Sequence, residues 1–233
     1  MKNKPLLIFI PGTLCTGEMF MPILTQLPFE TKTLDLTHQD NLAEMARAVM
    51  QLADGRSFIP VGFSMGGMVA FELLRMQLPK IVGMILLNSN CHADLPGRKA
   101  GRDAHLAIAQ SQGIEILVRQ HYLPVYFNAP HCAQSEIVVD MAVNLGVQTF
   151  VSQLKVLDER PDSLDVLKRF SEPVLIVGAQ NDRPCPPEHQ KVMANAAKES
   201  ELHILDNCGH FAPLEAPASI ANIITKWVNK YYE

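Results

Sequence analysis

Residues 62–66 have the sequence GFSMG and place a serine, whose hydroxyl can act as a nucleophile, between two glycines. The apolar residues 58–61 before it predict a strand, and the apolar residues 68–71 after it predict a helix. A serine at the sharp turn between such a strand and helix takes a strained backbone conformation that exposes its hydroxyl, and the flanking glycines let the turn close. We therefore predict that Ser64 is a catalytic nucleophile. A turn serine without a function is the alternative.

A serine hydroxyl needs a base to take its proton, and the base needs an acceptor that orients it. His210 follows a predicted strand that ends near Leu205, and Asp182 follows a predicted strand over residues 174–178. The carboxyl ends of parallel strands meet at one edge of a sheet, where open α/β sheets place their sites. We therefore predict His210 as general base and Asp182 as the residue that orients it.

The acid has two rivals in the sequence. Asp206 lies closer to His210 along the chain than Asp182 does, but a tight turn seldom brings two such side chains face to face. Asn181, next to Asp182, leaves an ambiguity of one residue in the register of the loop.

Two cysteine–histidine pairs raise the question of a metal site. Cys91 stands next to His92, and Cys132 stands next to His131. Adjacent residues do not comfortably bind one tetrahedral ion together, and no partners follow at a matching spacing, so we expect no metal. The histidines other than the predicted base are interpreted as surface or cap residues, of which His92 and His121 could face a pocket.

The composition is that of an ordinary globular protein. Its 233 residues are 48% hydrophobic and 19% charged, which suits a single domain. The formal charge of −4 gives no electrostatic reason to expect nucleic acid or an anionic membrane as a partner. Apolar residues 6–10 end at Pro11, too soon for a secretory signal, and no run approaches the roughly 18 apolar residues of a membrane span. The five scattered cysteines favour reduced thiols in the cytoplasm.

Short apolar strands alternate with helical patterns, which predicts an α/β protein with a parallel sheet and helices on both faces. The six expected strands cover residues 6–10, 31–36, 58–63, 83–88, 174–178 and 202–205. Helices are expected over residues 41–53, with Asp40 as the cap, and over 65–76 and 217–231.

The alternation of short apolar strands with helices stops in the middle of the chain. Helical patterns replace it over residues 98–112, 114–121, 135–157 and 163–170. We therefore predict a core of residues 1–89 and 172–233, with residues 90–171 inserted as a helical lid over the carboxyl edge of the sheet.

The order Ser, Asp, His, the turn at Ser64 and the run GHF at 209–211, followed by PLE at 213–215, resemble the α/β-hydrolase family over essentially the whole chain. Within it the chain looks most like small cytoplasmic carboxylesterase-like serine hydrolases, including the pimeloyl-ester hydrolase type. The resemblance implies the α/β-hydrolase fold and the same three roles for Ser64, Asp182 and His210. Two departures are that Pro11 stands where the family often has histidine, and that the family's first antiparallel strands are missing. A mainly parallel sheet of about six strands is therefore expected.

The resemblance also implies an oxyanion hole made of two backbone N–H groups. One belongs to Met65, the residue after the nucleophile, and the other comes from the loop over residues 12–15, where Thr13 is favoured and Leu14 is the alternative. Leu14, Phe63 and Phe211 are expected to line the substrate pocket. No cofactor is implied.

Together these features predict a serine hydrolase that cleaves an ester or thioester of a small to medium apolar acyl group through an acyl-enzyme. An acyltransferase or a C–C bond hydrolase could use the same three residues, and a non-catalytic ligand-binding protein could use the same scaffold. Products formed with an added alcohol or thiol separate transfer from hydrolysis, and fluorophosphonate labelling of Ser64 separates an enzyme from a binder. Epoxide hydrolases and dehalogenases are disfavoured because they use a carboxylate nucleophile. The expected partner is a small acyl ester or thioester, and the sequence leaves the oligomeric state open.

Overall fold

A computed structural model describes residues 5–78, 80–129 and 132–232. Six parallel strands form one sheet in the order β2-β1-β3-β4-β5-β6. Their bounds are β1 (Leu6–Ile10), β2 (Thr31–Thr33), β3 (Phe58–Phe63), β4 (Met84–Leu87), β5 (Val174–Ala179) and β6 (Ser200–Leu205). The central strands β1, β3, β4 and β5 are buried along their whole length, because helices cover both faces of the sheet. The predicted parallel sheet of six strands is confirmed.

Eleven α-helices are found among the described residues. They are α1 (Met21–Leu24), α2 (Leu42–Ala53), α3 (Met65–Arg75), α4 (Arg98–Gln112), α5 (Ile114–Leu117), α6 (Leu123–Tyr126), α7 (Ala133–Glu159), α8 (Leu164–Arg169), α9 (Pro187–Ala196), α10 (Ala212–Glu215) and α11 (Pro217–Tyr232). A 3₁₀ turn (Gly17–Phe20) precedes α1, and a π turn (Val118–Tyr122) joins α5 to α6.

Two details of the prediction were wrong. The predicted second strand extended to Leu36, but β2 ends at Thr33, because Asp35 and Leu36 bond to helical elements instead of to β1. Asp35 accepts a hydrogen bond from the N–H of Gly17, and the carbonyl of Leu36 accepts one from the side chain of Gln153 in α7. The N-cap residue of α2 is Asn41, not Asp40. The side chain of Asn41 accepts a hydrogen bond from the N–H of Glu44 at 2.9 Å.

The two faces of the sheet carry different helices. Helices α1 and α11 pack with α4 to α7 on one face, and α2, α3, α8 and α9 pack on the other. The helical insertion predicted between β4 and β5 is present. Its first helices, α4 to α7, form what we call the cap, whereas α8 packs beside α3 and α9 and buries Leu167 there.

Helix α7 is the longest element of the cap. By length and composition alone it is apolar enough to cross a membrane, with a mean hydropathy of 1.3 over its most apolar stretch. The backbone is not helical at Gly146, where φ is 72°, so the helix is broken there. Of the apolar stretch, 44% is buried inside the protein, as expected for a helix that packs in a protein core.

Candidate active site

Ser64 is the single residue between β3 and α3. Its φ of 51° and ψ of −116° are values that a residue with a side chain seldom adopts. The turn can be this sharp because glycines occupy its contact points. A Cβ on Gly66 would overlap the carbonyl oxygen of Ile10, and a Cβ on Gly62 would lie 2.5 Å from the carbonyl oxygen of Gly66.

Three hydrogen bonds hold this turn in place. The N–H of Ser64 donates to the carbonyl of Leu87 at 3.0 Å, across to the neighbouring strand. The carbonyl of Ser64 accepts the N–H of Gly67 at 3.0 Å and the hydroxyl of Ser89 at 2.7 Å. These bonds offset the unfavourable backbone conformation and fix the direction of the Ser64 side chain.

Asp182 lies in the loop after β5 and is 2% exposed. Its Oδ1 accepts the backbone N–H of Cys185 at 2.8 Å, and its Oδ2 accepts the side-chain amide of Asn88 at 2.9 Å. Asn88 directly follows β4, so two adjacent strand ends hold this carboxylate. Both carboxylate oxygens therefore accept a hydrogen bond that fixes the orientation of the group.

His210 lies in the loop after β6 and is 3% exposed. Its Nδ1 is 2.9 and 3.0 Å from the two carboxylate oxygens of Asp182, and its Nε2 is 3.0 Å from Oγ of Ser64. A proton on Nδ1 donated to the carboxylate leaves the lone pair of Nε2 facing the Ser64 hydroxyl. The three side chains singled out in the sequence therefore form one continuous hydrogen-bonded chain.

The loop of His210 is held from two sides. Its own N–H donates to the carbonyl of Tyr126, in the cap, at 2.6 Å. The carboxylate of Glu215 accepts the N–H of Gly209 at 3.0 Å and that of Asn128, also in the cap, at 2.9 Å. Burial raises the pKa of Glu215 above its usual value, and these two N–H groups oppose that shift.

Neither rival of Asp182 contacts the imidazole. The side chain of Asn181 donates to Oδ1 of Asn128 at 2.6 Å, away from His210. Asp206 is exposed to solvent. The register of the loop after β5 therefore places Asp182 against the ring.

The loop after β1 runs beside Ser64. The backbone N–H of Leu14 donates to Oε1 of the buried Gln153 at 2.8 Å, so it is already used. Among the described residues, the N–H groups of Thr13 and Met65 have no hydrogen-bond partner. The hydroxyl of Thr13 lies 3.7 Å from the sulfur of Met65, so the two residues are neighbours.

A cavity of about 340 Å³ opens in front of Ser64 and His210. Phe63 and Phe211 line it, as expected from the sequence. Leu14 does not, because it is 2% exposed and packs into the core beneath the loop.

Several residues of the site had not been singled out in the sequence. Asn88, Gln153 and Tyr126 contact the loops described above. The cavity is also lined by Arg98, Arg102, His105 and Arg160, all from the cap or its end. The spacing of 98, 102 and 105 on one predicted helix was the available signal that these side chains share a face.

No group of three or more His, Cys, Asp or Glu side chains suited to a metal ion occurs among the described residues. His131 lies outside those residues. His92 meets His189 edge to face, with ring centroids 5.0 Å apart, and the ring centroid of His121 lies 5.8 Å from that of His105. Of these four histidines, His105 lines the cavity, whereas His92 and His121, for which the sequence left a place in a pocket open, are not among its lining residues.

The five cysteines are free thiols. Cys185 lines the cavity, and burial, together with the nearby charge of Asp182, raises its pKa to about 12. A thiol with that pKa stays protonated at neutral pH and is a poor nucleophile.

A sequence model of the alpha/beta hydrolase family matches residues 7–223. The chain belongs to the α/β-hydrolase family. A 2-hydroxy-6-oxononadienedioate/2-hydroxy-6-oxononatrienedioate hydrolase of Pseudomonas is 23% identical over 197 residues, which are 81% of this chain and 67% of that protein. The resemblance seen in the sequence is therefore confirmed.

Solved structures of other α/β hydrolases have the same fold. A thermophilic esterase from Thermogutta terrifontis superposes with a TM-score of 0.90 at 22% identity, covering 100% of this chain and 92% of that one. An esterase from Exiguobacterium antarcticum superposes with a TM-score of 0.85 at 17% identity, covering 98% and 93%. At these identities the likeness establishes the fold of this hydrolase.

Proposed function

We propose that this α/β hydrolase is a serine hydrolase that cleaves a carboxylic ester or thioester through an acyl-enzyme. The observation that carries the proposal is the hydrogen-bonded chain from Ser64 Oγ to His210 Nε2 and from His210 Nδ1 to Asp182, at 3.0 and 2.9 Å. A nucleophile, a base and an orienting carboxylate in this geometry are what acyl transfer requires.

In the proposed first step, Nε2 of His210 takes the proton of Ser64 while Oγ attacks the acyl carbonyl carbon. The imidazolium that forms is stabilised by the Asp182 carboxylate, and its Nε2 proton then passes to the leaving alcohol or thiol. In the second step, His210 takes a proton from water, and the resulting hydroxide attacks the acyl-enzyme. The carboxylic acid leaves, and Ser64 regains its proton from His210.

The negative charge on the substrate oxygen needs donors that are already in place. We propose the backbone N–H groups of Met65 and Thr13, which have no partner among the described residues. Leu14, the alternative to Thr13, is disfavoured because its N–H donates to Gln153. The N-terminus of α3 begins at Met65 and adds its partial positive charge. Removal of one such donor typically costs about 3 kcal/mol of transition-state stabilisation.

The test is a Ser64→Ala variant with p-nitrophenyl butyrate as substrate. We expect an unchanged melting temperature and a fall in kcat of about 10⁵-fold or more. Ser111→Ala, which removes an exposed hydroxyl of α4, is the matched control and should keep full activity. A fluorophosphonate should label wild-type protein at Ser64. Turnover by Ser64→Ala comparable to the wild type would remove Ser64 from the mechanism.

A C–C bond hydrolase is the second candidate, because of the Pseudomonas relative. The substrate in that protein's name is a keto diacid without an ester, so its hydrolysis must break a carbon–carbon bond. The same serine and histidine could serve that reaction on this chain. Hydrolysis of a vinylogous 1,5-diketone at a higher kcat/KM than any aryl ester would favour it over the esterase.

We also propose that the protein works in the cytoplasm. Five free thiols, four of them buried, support a reducing compartment.

A further inference from the structure

We infer that the cavity beside Ser64 binds a carboxylate group of the substrate through Arg98, Arg102 and Arg160. The inference rests on the proposed function and narrows the substrate to an ester that carries a free carboxylate. All three arginines line the same cavity as Ser64 and His210, and no carboxylate is among its described lining residues. The sequence had indicated an apolar acyl group, but these three cations make the cavity polar at one part of its wall.

Two of the guanidinium groups are held rigidly. Arg102 is bonded through Nε to Asp158 at 2.7 Å and through Nη2 to Asp94. Nη1 of Arg160 lies 3.0 Å from the other oxygen of Asp94, and its Nε donates to the carbonyl of His92 at 3.1 Å. The side chains of Arg102 and Arg160 are 12% and 5% exposed, so these hydrogen bonds, together with the ion pair between Arg160 and Asp94, fix their orientation.

The positive charge in this cluster exceeds the negative charge. Three guanidinium groups face two carboxylates, Asp94 and Asp158, and Asp158 is shared with the exposed Lys99 on the outer side. Arg98 has no acidic partner among the described residues; it only reaches the carbonyl of Pro184, at 3.4 and 3.5 Å. Unbalanced positive charge in a partly desolvated cavity is stabilised by an anion, and the planar guanidinium fork matches a carboxylate.

The apolar lining and the volume of the cavity limit the uncharged part of the ligand. Phe63, Met68, Leu154, Leu157 and Phe211 give the same cavity apolar surface beside the arginines and Ser64. A volume of about 340 Å³ is at the small end of the range of ligand sites. The site therefore suits a small ester whose carboxylate is separated from the scissile carbonyl by a short apolar spacer.

The carboxylate could belong to the acyl part or to the alcohol part of the ester, and two matched substrate pairs distinguish these sources. The acyl arm compares the mono-p-nitrophenyl ester of glutarate with that of glutaramate, its neutral amide. The alcohol arm compares the butyrate ester of 4-hydroxybenzoate with that of 4-hydroxybenzamide. We expect kcat/KM to favour the carboxylate about tenfold or more in one arm, as one charge-assisted pair allows.

Arg98→Gln and Lys191→Gln are the matched variants, because each removes one positive charge from an exposed position on a helix. Arg98→Gln should lower the carboxylate preference about fivefold or more, whereas Lys191→Gln, on α9 outside the cavity lining, should keep it within twofold. Equal kcat/KM for the carboxylate and amide esters in both arms would overturn the inference while leaving the proposed function intact.

A binding measurement separates the inference from catalysis. Calorimetric titration of the Ser64→Ala protein with glutarate and 4-hydroxybenzoate should show binding of at least one, with the amide analogues about tenfold weaker. Binding of a carboxylate together with no hydrolysis of any ester by the wild type would support the anion site and refute the serine hydrolase. Equal binding of acid and amide, or no binding of either acid, would refute the anion site.

Discussion

The backbone N–H of Leu14 donates to Oε1 of Gln153, 2.8 Å away, and so ties the loop beside Ser64 to the cap helix α7. Gln153 is fully buried, and its Nε2 donates to the carbonyl of Leu36 at 2.9 Å. One cap side chain therefore fixes the backbone of the loop that presents the N–H of Thr13. Gln153 is a positioning residue in this interpretation.

Replacing this amide by an apolar side chain should affect turnover more than binding. In Gln153→Leu the loop loses its bond, so the N–H of Thr13 shifts away from the place where the oxyanion forms. We expect kcat for p-nitrophenyl butyrate to fall roughly 10- to 100-fold, which is no more than the fall caused by removing one oxyanion-hole donor completely. KM should change less than threefold. Steady-state kinetics measures the changes in kcat and KM separately.

The variant should also lose stability, because two buried backbone groups are left without partners. A variant at the buried Val49 of α2, such as Val49→Ala, controls for this effect, since it lies on the opposite face of the sheet. Equal falls in kcat in the two variants, compared at temperatures equally far below their melting points, would contradict the positioning role.

Replacing Asp182 by asparagine should damage proton transfer while keeping the shape of the site. The neutral amide favours the wrong tautomer of His210 and no longer stabilises an imidazolium. We expect kcat to fall by about 10³- to 10⁴-fold with little change in KM. Asp206→Asn, at the exposed rival position, should keep full activity. Loss of activity in Asp206→Asn, with full activity in Asp182→Asn, would show that Asp206 orients His210 instead.

The two glycines Gly66 and Gly101 should respond oppositely to alanine. A methyl group on Gly66 meets the carbonyl oxygen of Ile10, so Gly66→Ala should cost more than about 4 kcal/mol in the free energy of unfolding or prevent folding. A methyl group on Gly101, inside α4, meets nothing within 4 Å, so Gly101→Ala should stabilise the protein by about 0.5–1 kcal/mol. Urea unfolding measures both. A Gly66→Ala protein of wild-type stability would show that the turn has room to relax.

The buried thiols predict a fall in stability at alkaline pH. Burial raises the pKa of Cys91 to about 11 and those of Cys185 and Cys208 to about 12, whereas an unfolded thiol has a pKa of about 8.5. The folded protein retains these protons while the unfolded chain loses them. Stability is therefore complete below about pH 8.5 and decreases as the pH rises toward 11.

Melting temperatures between pH 7 and pH 10 test this decrease, and Cys91→Ala should reduce its slope. The same thiols should react slowly with Ellman's reagent in the native protein. Cys132 is the half-buried one, so we expect it alone to react quickly, with all five reacting in denaturant. Rapid reaction of Cys185 in the native state would show that the cavity opens around it.

The residues that could be predicted from the sequence are those with local signals. Ser64 stands in a pattern of glycines and apolar residues that specifies its own turn, and Asp182 and His210 each follow a strand whose apolar run is clear. The structure brings these three side chains together as the parallel strands require.

The cap contacts could not be predicted in the same way. Gln153 reaches Leu14 across 139 residues, and nothing in its neighbourhood on α7 distinguishes it from a surface glutamine. The spacing of Arg102 on α4 indicated the helix face it shares, but not that Asp158 of α7 would bond to it. Side chains whose role is set by distant packing leave no local pattern.

The neighbouring polar residues Asp40 and Asn41 show a smaller kind of ambiguity. Both side chains are good helix caps, so the sequence pattern located the start of α2 but not the residue that accepts the first N–H. The structure selects Asn41 by the extended backbone at that position.

The carbonyl of Tyr126 accepts the N–H groups of both His210 and Phe211, at 2.6 and 3.4 Å. If this side of the cap rose as a rigid body to admit a ligand, it would break the backbone support of the proposed base at the same moment. A ligand should therefore enter while the Tyr126 segment stays docked, so that entry of a molecule and alignment of the imidazole do not compete.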